Sequence, residues 1–329
     1  MPVPTITRSI DSLYTHNWQL RRKPMVDQVM QATPFWYYMK QNHRIVMRGG
    51  EFIEDPLRYG KNDSIRGIGR GDTVTIVDSD PSTMSKWPWK YVTGHIYRTF
   101  QDDQVNRGEA KFLDLVQTKI ETLQDSYAEK MEMWLFDDGT ADGGKVPNGL
   151  LNLVPYAPAT GTVGNLNRAT YSWWRNYATD MTTQNPVLWL RTRLTTMWNN
   201  TMRWGAGDRL KAVPDFIITT QAIAEIYEDM ADAVATIILK DNMKVGRGFG
   251  QLVFKGIPVN WSPYCPDYAL WMLNTEYLKF TVDDIENFTL GEWIPIADQP
   301  GARVAHALFV CNLTISNCRH QGAIYNIDN

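Results

Sequence analysis

The sequence predicts an α+β fold in which strands gather around one long helix, and three stretches carry that reading. Asn106–Phe136 holds Phe112, Val116, Ile120, Leu123, Tyr127, Met131 and Trp134 at steps of three and four, which places them on one helical face. Gly49–Pro88 has only 11 apolar residues in 40, with six glycines and three prolines, and reads as a long projecting loop. From Gln251 onward, short apolar or alternating runs between turn residues read almost entirely as strands.

The helix is expected to span about 30 residues, roughly 45 Å at 1.5 Å per residue, which is long for a globular protein. Asn106 followed by Glu109 has the pattern of a capping box, and Gly139 marks the stop. A coiled-coil partner helix is the alternative, but no seven-residue repeat is kept. The reading is a spine.

The chain has 329 residues, 43% apolar and 21% charged, which suits a folded protein of one complex domain or two. A net charge of −3 and a pI near 6.0 provide no broad basic field, so contact with nucleic acid is expected to be local or weak. Cys265, Cys311 and Cys318 form no CxxC pair and read as reduced thiols. The start, MPVPTITRSIDSLY, lacks the apolar core of a signal peptide, so the chain is expected not to be secreted. Val146–Asn167 is free of charge but broken by proline and glycine, which forbids a membrane helix there. Thirteen tryptophans and 15 tyrosines exceed the needs of one core and favour buried interfaces, hence oligomerisation.

In chain order, the first 24 residues carry Arg8, Arg21, Arg22 and Lys23 against Asp11, a local balance of +3 in an extended arm. Ala32–Met47 is strongly aromatic and ends in a strand. Through Gly49–Pro88 charges alternate in sign, and Thr73–Asp78 shows short β alternation, flanked by strands at Arg44–Arg48 and Trp89–Phe100. An irregular insertion of this length implies a partner surface, because so few apolar side chains cannot form a core of their own. A second amphipathic helix is expected from about Val187 to Arg203, with Leu190, Leu194, Met197 and Trp198 on one side and Gly205 as its stop. Pro214–Met230 reads as a buried strand entering a helix through Thr220 as N-cap. Residues 252–261 read as a hairpin turning at Lys255-Gly256, followed by the strands YALWML, YLKFTV, VAHALFV and GAIYNI.

The chemical motifs fail on inspection. Gly139–Lys145 imitates a phosphate-binding loop, but Val146 stands where Ser or Thr must hold magnesium, and a helix rather than a strand precedes it. Asp137, Asp138 and Asp142 lack the spacing and closing Glu of an EF-hand loop. His16, His43, His95, His306 and His320 form no HxxxH or HxH pair, and there is no GxSxG elbow. No catalytic residue, metal site or cofactor is expected, and the chain is read as a non-enzyme.

The long helix together with NGLLNLV, NLNRATYSWWRN, PDFIITTQAIAEIY, FKGIPVNWSPYCPDYALWMLNTEYLKF and RVAHALFVCNLTISNCRHQGAI resembles the major capsid proteins of tailed bacteriophages, over about residues 30 to 324. That family has the Hong Kong 97-type fold, which it shares with encapsulins. The resemblance implies an N-terminal arm at 1–43 and an extended β-hairpin loop with flanking strands at 44–100. It implies a peripheral domain at 101–150 with spine helix 106–136, a mainly axial domain at 151–300, and peripheral return strands at 301–329.

It also implies a head protein that assembles as pentamers and hexamers into an icosahedral shell around the genome, made in the bacterial host cytoplasm and found in the virion. Expected partners are the chain itself, a portal, a separate scaffolding protein, decoration proteins and packaged double-stranded DNA in weak non-specific contact, with no membrane. The residues expected to touch other subunits are Arg58, Lys61, Arg66 and Arg70 in the loop, Arg8, Arg21 and Arg22 in the arm, and Lys240, Lys244 and Arg247 at an axial tip. An encapsulin-like compartment is the alternative within the fold. From a different class, a two-domain carbohydrate-active hydrolase would use the tryptophans as sugar platforms and paired carboxylates as acid and base.

Overall fold

The computed structural model of the chain describes residues 33–60, 65–73, 81–105, 109–203, 212–238, 252–284, 289–299 and 301–328. They fall into two compact units, the larger built from the described parts of Ala32–Thr93, Lys130–Thr289 and Leu308–Asn329, the smaller from those of Gly94–Glu129 and Leu290–Ala307.

The chain enters the larger unit through helix α1 (Pro34–Gln41) and strand β1 (Ile45–Arg48). Strands β2 (Ile53–Arg58) and β3 (Ser82–Trp87) form an antiparallel hairpin, and β4 (Lys90–Thr99) follows. After helix α2 (Phe100–Val105) comes the long helix α3 (Glu109–Phe136), ending at the residue read from the sequence. Of its expected face, Tyr127 and Met131 are buried and Ile120, Leu123 and Trp134 partly so. The side chains of Phe112 and Val116, and Asn106 of the capping box, lie outside the described residues. A turn with positive φ at Gly139, Asp142, Gly143 and Gly144 closes α3, and Asp138 Oδ1 accepts both the Thr140 N–H and its hydroxyl. The segment that imitates a phosphate loop is this turn.

A six-stranded sheet forms the heart of the larger unit, in the order β7 (Tyr177–Asp180), β16 (Gly322–Tyr325), β11 (Leu270–Leu273), β8 (Phe216–Thr219), β10 (Ile257–Trp261), β9 (Val253–Phe254). Every residue of β8 and β11 is buried, as near-continuous apolar runs demand of strands covered on both faces. Helix α4 (Pro186–Met202) lays Leu190, Leu194 and Met197 into the core formed with Ile217, Met272 and Ile324. Its start is fixed by Asn185, whose side chain accepts the Val187 N–H, and by Pro186. Gly205, its expected stop, lies outside the described residues. Helix α5 (Gln221–Ile238) begins directly after Thr220, as read. Strands β9 and β10 turn at Lys255-Gly256 with φ of 48° and 88°, the primed geometry that matches strand twist and favours glycine.

A second set of strands in this unit pairs β1 with β12 (Leu278–Asp283), and β12 with residues 311–315 of β15 (Ala302–Ile315). Buried Asn312 links this strand to the chain on both sides, donating to the Pro88 carbonyl at 2.8 Å and accepting the Asn148 N–H at 3.0 Å. Arg168 is fully buried, its guanidinium donating to the carbonyls of Asn152 and Leu153. All three cysteines are free and buried. After the short strand β13 (Thr289–Leu290), β14 (Ile294–Pro295) of the smaller unit pairs with Arg303 and Val304 of β15. Tyr127 of α3 donates to the Ala307 carbonyl at 3.0 Å, and Arg98 of β4 lies 4.5 Å over the Trp293 ring. Among the described residues no helix is long and apolar enough to cross a membrane.

Ala32–Met47 is aromatic and ends in a strand, β1, as read, but the helix Pro34–Gln41 before it was not read from the sequence. Its β-prone aromatics are overridden by tertiary contacts: Phe35 stacks on Phe216 at 5.4 Å and Trp36 meets Phe280 edge-on at 5.0 Å.

Candidate subunit-interaction surface

The hairpin β2–β3 shows strict alternation. Ile53, Asp55 and Leu57 are buried on β2, and Ser85 and Trp87 on β3, while Glu54, Pro56, Arg58, Met84 and Lys86 point outward and are exposed. The segment forms no core of its own, and what the sequence did not show is that its root is buried against the rest of the chain. Few apolar residues suffice because the covering surface comes from elsewhere in the chain, the hairpin β5 (Thr162–Val163) and β6 (Leu166–Asn167) and the aromatic run after it. Gly164, at φ +59°, presses its backbone on Trp87, where an added Cβ would sit 2.8 Å from the indole. The Lys86 N–H donates to the Gly164 carbonyl at 3.1 Å, and Tyr59 stacks on Trp173 at 5.3 Å. Asp55, 8% exposed, is paired with Arg48 at 2.7 Å, which ties the hairpin to β1.

The outer face is polar and charged. Glu54 and Lys86 pair across the strands at 2.8 Å, and this partner holds the Lys86 ammonium above its usual range. Arg58 ends β2 on this face. Farther along, Arg66 and Arg70 are exposed, as are Ile65 at 88% and Ile68 at 64%. Two large apolar side chains thus stand in solvent close in sequence to these arginines. Lys61, the arm residues Arg8, Arg21 and Arg22, and the tip residues Lys240, Lys244 and Arg247 lie outside the described residues, as does most of Thr73–Asp78.

Sequence reasoning missed three features. Val187, Leu188 and Trp189 at the start of α4 are 50%, 72% and 46% exposed, an apolar ridge that the helical period alone assigned to no face. The stack of Tyr59 on Trp173, with Tyr171 beside it, joins residues too far apart in sequence to be paired by eye. Glu132 is a fully buried carboxylate on α3 that a composition-based reading places in solvent.

No family model matches the chain, and no curated protein matches it. Solved structures do. The capsid of cyanophage A-1(L) is 16% identical with a TM-score of 0.64, covering 93% of this chain and 96% of that one. The capsid of the native GTA particle is 13% identical with a TM-score of 0.61, covering 92% and 93%. The SrpI encapsulin of Synechococcus elongatus is 10% identical with a TM-score of 0.56, covering 100% and 97%. The chain has the Hong Kong 97-type fold of these shell proteins.

Proposed function

We propose that the chain is the major capsid protein of a tailed double-stranded-DNA bacteriophage, assembling as pentamers and hexamers into an icosahedral shell. The observation that carries this reading is mutual coverage: capsid chains of two different particles align over at least 92% of this chain and 93% of their own length. A hairpin with a buried inner face and a charged outer face supports it, since the outer face can pair with an adjacent subunit at little cost while it waits in water.

In this proposal residues 1–43 are the arm, 44–100 the extended loop with its flanking strands, 101–150 and 301–329 the peripheral domain, and most of 151–300 the axial domain. Arg58, Lys61, Arg66 and Arg70 meet a neighbour's acidic groups. Arg8, Arg21 and Arg22 make arm contacts, and Lys240, Lys244 and Arg247 lie near a symmetry axis. The shell is built in the host cytoplasm with a portal and a separate scaffolding protein, takes decoration proteins outside, and becomes part of the virion. A net charge of −3 suits a wall that does not hold packaged DNA tightly.

Electron microscopy of the purified protein tests the proposal: closed particles in the megadalton range are expected, whereas a protein that never exceeds a dimer at any concentration or salt contradicts it. The likeness to an encapsulin over the whole chain favours one second reading, a protein compartment. Particle contents separate the two, nucleic acid for the first and a cargo enzyme for the second.

A further inference from the structure

The first turn of α1 is capped from far away. Thr33, at the N-cap position, makes no side-chain cap hydrogen bond, and Pro34 has no N–H to offer. The next two donors go to a residue of α3: the Phe35 N–H reaches Glu132 Oε1 at 3.2 Å and the Trp36 N–H reaches Oε2 at 2.7 Å. A third donor, the Ser262 hydroxyl just after β10, meets Oε1 at 2.9 Å. One carboxylate thus joins α1, α3 and the end of β10. It is 0% exposed, and Phe35, Met39 and Met131 on the same two helices are buried as well.

We propose that Glu132 is a proton-controlled latch on α1, so that the closed joint is tighter in acid than above neutrality. No cation pairs with Glu132 among the described residues; a carboxylate so buried loses its hydration, and three donors restore only part of it. Desolvation accordingly pushes the Glu132 carboxyl from 4.5 up to about 7, against the opposing pull of the Trp36, Ser262 and Phe35 donors. In the opened joint the side chain meets water and returns to the ordinary carboxyl range. The closed state therefore binds its proton more tightly. Its advantage is fully present below pH 4.5 and is lost as pH rises through about 7.

From α1 the carboxylate meets backbone donors. From the segment after β10 it faces Ser262 and the Cys265 thiol, which burial pushes up and keeps protonated, with Asp267 beyond. At the far end of α1, Tyr38 donates to the Asp215 carbonyl, and Arg44 pairs with Asp215 and Glu276. These groups remain in a Glu132→Gln variant, which keeps an acceptor and removes the titration.

Hydrogen exchange of the α1 amides, corrected for the intrinsic pH dependence of exchange, reads the opening equilibrium directly. Between pH 5 and pH 8 the opening constant of the parent protein is expected to rise on the order of 50- to 100-fold, the change that linkage gives for this group. In Glu132→Gln it is expected to stay within about threefold. Ser262→Ala supplies a second arm should the Gln variant fail to fold. It removes one donor to the charged form and should move the midpoint of the pH dependence upward. Equal pH dependence in parent and Gln variant, a flat parent profile, or an unmoved midpoint in Ser262→Ala would overturn the latch.

Discussion

Strands β8 and β11 bury every residue, while β2 and β3 bury only alternate ones. The difference separates two jobs within one unit. Covered on both faces, the central sheet holds the fold. The hairpin packs one face against the fold and leaves the other in solvent, the face proposed above to meet a neighbour, so substitutions on its two faces should have different consequences.

The largest effect is expected in the sheet. Trp271 on β11 is 0% exposed, donates to the Val154 carbonyl at 3.2 Å and packs 5.8 Å from Tyr156. Trp271→Ala should cost about 3–5 kcal/mol, read as a lowered denaturant midpoint. An unchanged midpoint would deny the sheet its central place. Next comes the inner face of the hairpin, where Trp87→Ala should cost about 3 kcal/mol. Met84→Ala, on the exposed face, should stay within about 0.5 kcal/mol. Equal losses at the two positions would erase the distinction between the faces.

A smaller effect belongs to pH. His320, 0% exposed, contacts the Thr201 carbonyl through Nδ1 at 2.8 Å, and burial holds its pKa below the usual 6.5. Folding therefore favours the neutral ring. Its contribution is present above pH 6.5 and is lost as pH falls through the lowered value, the opposite direction to Glu132. Unfolding titrations of His320→Gln beside the parent should show a weaker loss of stability between pH 6.5 and pH 5 in the variant.

Much of this fold was legible in the sequence because period and punctuation agree with the final packing. The face of α3 from Ile120 to Trp134, the turn at Lys255-Gly256 and the apolar runs of β8 and β11 each announce their element locally. What was illegible depends on distant partners. Pro34–Gln41 is helical because Glu132, about 100 residues away, caps it and Phe216 covers it. Trp87 is buried because Gly164 lets the backbone close on its ring. Within the proposed interaction surface the sequence pointed to Arg58, Arg66 and Arg70, all of them exposed. It did not show that the root of the same loop belongs to the core, so replacing all of Gly49–Pro88 would damage folding as well as assembly.

Shortening only the distal part, with an Asn-Gly turn in place of Gly60–Pro81, tests the central claim most directly. This change keeps Ile53, Leu57, Trp87 and the Asp55–Arg48 pair, and removes Lys61, Arg66 and Arg70 together with exposed Ile65 and Ile68. Sedimentation and electron microscopy of the two proteins side by side should show closed shells for the full chain. The shortened protein should give a folded subunit, melting within a few degrees of the parent, that forms none. Closed shells from the shortened protein would contradict the assignment of the hairpin's outer end as the contact that closes the shell.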